Sequence, residues 1–194
     1  EADEGEALHR SAAASSQRRA AGEDTHLCVL VHGLGGGPWD WTSIAVEFEK
    51  RLNGAAQKHA RKNRRGSVGG GNMLVHVSRA NSFLKTFDGI DVCGERLAEE
   101  IKGIVREKPS LRSISIVGHS LGGLISRYAL GVLFCKETGT MYGLKPRHFA
   151  SIASPHMGCD GSHATENQVP FLEYLTRIPV LGAGISQITN VAAA

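Results

Sequence analysis

Long apolar runs are missing from this chain: none approaches the ~18 residues of a membrane-crossing helix, so no part of it reads as a transmembrane segment. The four cysteines, Cys28, Cys93, Cys135 and Cys159, are scattered without a CxxC pair. Their spacing supports neither a zinc knuckle nor a disulfide framework, and it fits a reducing compartment. The histidines lack HExxH or any comparable ligand spacing, so no metal site is expected and metal-dependent hydrolysis has no support. A large excess of one charge is missing too. The net charge is +3, with much of the basic excess gathered between Lys50 and Arg65, and no nucleic-acid partner is expected. The chain opens at Glu1 rather than methionine, so its true start, with any targeting signal, is expected upstream.

What is present is an ordinary globular composition. At 194 residues and 41% hydrophobic, the chain suffices for one domain with a core. Residues 1–24 mix Ala, Ser, Arg and acidic residues without period. Burying them would gain too little to offset their ordering entropy, and a disordered tail is expected there. From Thr25 to about Pro155, short apolar runs alternate with amphipathic ones, the pattern of an α/β fold around a mostly parallel sheet. The strands are expected at Leu27 to Val31, Met73 to Val77, Ser113 to Val117 and Phe149 to Ala153. Between them Trp41, Ile44, Phe48 and Leu52 recur at helical spacing, as do Leu97, Ile101, Ile104 and Val105, with Asp91 placed to cap the second helix. A third helix, apolar over most of its girth with Leu124, Ile125, Tyr128, Ala129, Val132 and Leu133, is expected to lie deeply packed.

Residues 54–72, including Lys58, Arg61, Lys62, Arg64 and Arg65, read as a basic, flexible insertion. It is a solvated loop first, and a contact for anionic membrane surfaces or a nuclear-import patch second. From Gly158 onward the pattern weakens, with at best a short helix at Phe171 to Leu175.

The chemistry concentrates at two turns. Gly118-His119-Ser120-Leu121-Gly122 stands where an apolar strand gives way to a helix-forming run, the setting of a nucleophile elbow, so Ser120 is the candidate nucleophile. The string alone is weak; its placement strengthens it. Strand Leu27 to Val31 runs into His32-Gly33-Leu34-Gly35-Gly36-Gly37, a glycine turn at the carboxyl end of a strand, where ligands bind in open α/β sheets. In acyl transfer, the backbone N–H groups of Leu121 and Leu34 would receive the oxyanion, each worth on the order of 3 kcal/mol in the transition state. His32, Gly33, Gly35 and His119 would line the pocket, the two histidines shaping their turns by hydrogen bonding. Trp39 and Trp41 are core anchors of the first helix or a wall of an acyl pocket. Asp88 is expected to serve its own turn, and Arg127 to hold a neighbouring loop.

Val31-His32-Gly33-Leu34, Trp39-Asp40-Trp41, Asp88-Gly89-Ile90 with Gly94 to Ala98, Gly118 to Ala129, and Ala153-Ser154-Pro155-His156-Met157-Gly158 occur in order. Together they resemble the serine esterase family of lipase-like α/β-hydrolases, its plant members especially, over about Leu27 to Gly158. The resemblance implies hydrolysis of carboxylic esters, lipid acyl groups above all, through an acyl-enzyme on Ser120. It implies no cofactor and no metal, a lipid or small ester as substrate and no obligate protein partner. An intracellular setting, cytoplasmic or plastid, goes with it.

The family order is serine, then acid, then histidine. At ~30 residues per strand-helix-strand unit a complete sheet needs roughly 240 residues, and only about 40 follow Ala153, so the acid and the histidine are expected to be missing and the fold incomplete at its C-terminus. The possible substitutes are Glu137, Asp160, Glu166 and Glu173 for the acid, and His148, His156 and His163 for the base. His148 is expected at the start of a strand, away from Ser120. His156, just past a strand's carboxyl end, is the better-placed base. The alternative function is a catalytically incomplete fragment that binds lipids or a protein through an open sheet edge.

Overall fold

Unbroken apolar runs call for burial on both faces, and Leu27 to Val31 obtains it at the centre of a parallel sheet. The computed structural model describes residues 24–48, 50–51 and 72–158. The expected tail through residue 23, the basic insertion, Leu52 and everything from Cys159 onward, with Asp160, His163, Glu166, Glu173 and Phe171 to Leu175, lie outside the described residues.

In chain order the strands are β1 (Asp24–Val31), β2 (Asn72–Val77), β3 (Ser113–His119), a small hairpin of β4 (Phe134–Cys135) and β5 (Thr140–Met141), and β6 (Lys145–Ile152). The helices are α1 (residues 42–48), α2 (Ile90–Glu107) and α3 (Leu121–Leu133). The main sheet runs β2-β1-β3-β6, all parallel. In register, Val31 faces Gly118 and His119 faces Ile152. The carboxyl ends of β1, β3 and β6 are therefore level, and the segments after them share one rim.

Alternation along β1 decides which helix lies where. Leu27, Val29 and Val31 point with Ile114 and Ile116 of β3 toward α2 and α3, which bring Cys93, Leu97, Ile101, Leu124, Ile125 and Ala129 to the same core. Cys28 and Leu30 point to the other face, where Trp41, Ala45 and Phe48 cover them. Helices thus lie on both faces, the α/β architecture the pattern predicts. Leu97 and Ile101 are fully buried, and truncating either to alanine costs about 2–5 kcal/mol.

Four local expectations are corrected. The stripe of α1 is Trp41, Ala45 and Phe48, while Ile44 is exposed; the helix begins as a 3-10 turn at Pro38–Trp41, which shifts the phase. The N-cap of α2 is Gly89 at φ 109°, and Asp91 sits inside the first turn, favourable to the helix dipole. Tyr128 stays partly exposed at the rim of α3, its ring over Gly94. β6 starts earlier than expected and stops before Ala153, which takes φ 50°. Its outer residues are exposed, so Lys145, Pro146 and Arg147 are tolerated in a strand they disguise.

Candidate active site

Ser120 alone separates β3 from α3. Its backbone takes φ 54°, ψ −127°, a conformation that persists only where the surroundings over-determine it. Here they do. The Ser120 N–H donates to the Ile152 carbonyl at 2.8 Å, and the Ser120 carbonyl accepts from the Gly123 N–H at 3.0 Å. The first turn of α3 is also wedged between the ends of β1 and β6. A β-carbon on Gly122 would meet the carbonyls of Val31 and His32, and one on Gly123 would meet Ser154. Among the described residues the Ser120 hydroxyl has no hydrogen-bond partner.

The glycine turn after β1 crosses beside that hydroxyl. A β-carbon on Gly33 would stand 3.3 Å from Ser120 Oγ. The Gly33 carbonyl accepts from the Gly36 N–H at 3.2 Å and from His32 Nδ1 at 3.1 Å. Because a carbonyl only accepts, Nδ1 carries the imidazole proton. The Gly35 N–H donates to Thr86 Oγ1 at 2.8 Å and the Gly37 N–H to Asp40 Oδ2 at 3.1 Å. Among the described residues, the N–H groups of Leu34 and Leu121 have no acceptor. Leu121 opens α3, so its N–H is one of the donors a helix cannot satisfy internally, at the positive end of the dipole.

The pocket expectations divide. Gly33 lies against Ser120, Gly35 at φ 66° faces open space, and His119 is exposed. His32 is 2% exposed and braces the turn through its bond to the Gly33 carbonyl. Trp41 is a core anchor at 3% exposure, whereas Trp39 is 59% exposed and folds back over Gly37.

Of the substitute bases, His148 and His156 fall within the described residues, and neither is hydrogen-bonded to Ser120. His156 Nδ1 accepts from the Arg127 guanidinium at 3.2 Å, which leaves its proton on Nε2, donated to Ser151 Oγ at 2.9 Å. Both ring nitrogens are thus engaged in tying the segment after β6 to α3, the loop-holding expected of Arg127. His148 is not at a strand start but within β6, paired with Ser115 and exposed. Glu137 sits between β4 and β5 and accepts from Cys135 Sγ at 3.0 Å. Asp88 does more than serve its turn: it pairs with Arg96 at 2.6 Å.

Two titrating groups frame the sheet. Burial works to raise the Glu100 carboxyl, but His76, Ser78 Oγ at 2.6 Å and the Arg79 N–H at 2.8 Å together hold it below the usual value. His26, bonded to Ser113 and Ser115, is pushed down by burial and by the nearby Arg147 and His148 charges. Sequence patterns pointed to neither group, nor to Thr86, because a single polar residue carries no period, whether it stands in a strand, as His26 does, or in a helical turn, as Glu100 and Thr86 do.

Residues 21–187 match the family described as "Putative serine esterase (DUF676)". The chain belongs to this serine esterase family. Two fungal relatives are similar to it. "Putative lipase C4A8.10" of Schizosaccharomyces pombe is 27% identical over 146 residues, covering 73% of this chain and 17% of its own length. "Putative lipase ROG1" of Saccharomyces cerevisiae is 30% identical over 157 residues, covering 81% of this chain and 20% of its own length. The chain thus spans about a fifth of the curated relatives it matches. Among solved structures, phospholipase PlaB from Legionella pneumophila superposes with a TM-score of 0.54 at 12% identity, covering 85% of this chain and 31% of that one, a likeness of fold. Among the described residues of this serine esterase family member, no helix is long and apolar enough to cross a membrane.

Proposed function

We propose that this chain carries the nucleophile and oxyanion half of a serine carboxylic-ester hydrolase acting on lipid acyl esters. The observation that carries the reading is the Ser120 hydroxyl, without a hydrogen-bond partner among the described residues, on a strained strand-to-helix turn with the glycine turn alongside. Membership of the serine esterase family and the lipase names of the relatives support it.

In the reaction, Ser120 Oγ attacks the ester carbonyl and its proton passes to a base. The carbonyl oxygen gains the electron pair and is held by the Leu34 and Leu121 N–H groups, each worth on the order of 3 kcal/mol in the transition state. Collapse breaks the bond to the alcohol, which leaves with a proton, and water then releases the acyl group from Ser120. His156 is engaged with Ser151 and Arg127, and among the described residues no histidine is hydrogen-bonded to Ser120 as its base. Removing triad members leaves only ~10³ to 10⁴ of acceleration over water, which makes that base decisive for rate.

Hydrolysis of short- and medium-chain 4-nitrophenyl esters by the full chain tests the reading. Wild-type turnover that disappears in Ser120→Ala is expected; undiminished activity in Ser120→Ala refutes the assignment.

A further inference from the structure

We infer that Thr86 is a positioning residue for the oxyanion turn, setting the aim of the Leu34 N–H. This rests on the proposed role of Leu34.

A donor works in an oxyanion hole only if it points where the charge will gather before the charge arrives. The aim of the Leu34 N–H depends on the two peptide planes that flank Leu34. In the plane before it, the Gly33 carbonyl is held by the Gly36 N–H and His32 Nδ1. All described peptides are trans, so the Leu34 N–H points opposite to that carbonyl. The plane after it ends in the Gly35 N–H, and its partner is Thr86 Oγ1 at 2.8 Å. The same hydroxyl donates to the Phe83 carbonyl at 2.7 Å, and the Phe83 N–H returns to the Gly36 carbonyl at 2.8 Å. The ring of bonds therefore closes between the glycine turn and residues 83–86. Thr86 is 1% exposed, and its hydroxyl spends its proton and a lone pair on main-chain groups.

Its segment is anchored without it. Asn81 Nδ2 donates to the Cys93 carbonyl at 2.7 Å, Cys93 Sγ to the Lys85 carbonyl at 3.2 Å, and Asp88 pairs with Arg96 at 2.6 Å. Removing the Thr86 hydroxyl leaves the segment seated on α2 and joined to the turn through the Phe83 N–H, and it frees the Gly35 N–H, the group that ends the peptide plane after Leu34. Phe83 at φ 56° fits that role, since strain in a bulky residue is kept only where neighbours enforce it.

The experiment compares the full chain with Thr86→Val, which keeps the shape and loses the hydroxyl, and with Thr86→Ser, which keeps the hydroxyl. Hydrolysis of 4-nitrophenyl butyrate is measured per active site, counted by a fluorophosphonate end-point. Thr86→Val is expected to lower kcat about 10- to 100-fold with KM within about twofold, and to weaken inhibition by a trifluoromethyl ketone, which forms an oxyanion, by the same factor. Thr86→Ser is expected to restore both. A Thr86→Val enzyme with kcat per site within about threefold of wild type overturns the inference, as does a loss seen only in the number of titratable sites. A wild-type chain that neither hydrolyses the ester nor labels at Ser120 fails the underlying reading, and the positioning role with it.

Discussion

Gly33 faces Ser120 so closely that a β-carbon added to the glycine would lie 2.8 Å from the Ser120 β-carbon and 3.3 Å from its hydroxyl. Gly33→Ala must displace either the turn or the nucleophile, since carbon atoms do not approach so near. The variant is expected to stay folded but to lose about 1–3 kcal/mol of stability. Its kcat on a soluble ester is expected to fall at least as far as for one lost oxyanion donor, about 10²-fold. Chemical denaturation and steady-state kinetics on one preparation check both numbers.

The wedge of α3 between the strand ends is tested at Gly123. A β-carbon there runs into Ser154, so Gly123→Ala is expected to cost about 1–3 kcal/mol by overpacking. Gly123→Ala with Ser154→Gly is expected to recover most of that loss, in a double-mutant cycle read by urea denaturation.

Glu100 gives a pH signature. Its folded pKa is held below the ordinary 4.5 because His76, Ser78 and the Arg79 N–H outweigh burial. A depressed carboxylate contributes stability that is present above the unfolded value and is lost as pH falls through the folded value. Glu100→Gln is therefore expected to be less stable than the parent by about 1–2 kcal/mol near pH 7, with the gap closing below pH 4.5. A gap that is constant from pH 7 to pH 3 contradicts the arrangement.

The thiols should differ in reactivity. Burial pushes the Cys93 thiol up to about 11 and raises Cys28 as well, while Cys135 is partly exposed. Thiolate is the reactive form. Pulse alkylation of the folded chain at pH 8, read by peptide mass spectrometry, is expected to modify Cys135 at least about tenfold faster than Cys93 or Cys28.

The sequence discloses those parts of the fold whose residues repeat. Leu27 to Val31 and the Leu97 and Ile101 stripe were legible because burial on one or two faces imposes a period. β6 was half hidden because an exposed edge accepts Lys145, Pro146 and Arg147 as readily as a loop does. Ser120 and the glycine turn were legible because close backbone approach admits little besides glycine, so spacing itself records geometry. The Ser120 bond to Ile152, the His156 bonds to Ser151 and Arg127, and the Thr86 brace were not legible. All but the His156 bond to Ser151, which spans five residues, join residues far apart in the chain through a single polar contact, and such a contact leaves no pattern.

Covalent capture at Ser120 tests the central claim most directly. The full chain is treated with a fluorophosphonate and the modified peptide identified by mass spectrometry, with Ser120→Ala alongside. A single adduct on Ser120, absent from the variant and lost on heat denaturation before labelling, is the expected result. A native chain in which Ser120 stays unmodified while other serines react at the same rate as in the denatured chain would contradict the account.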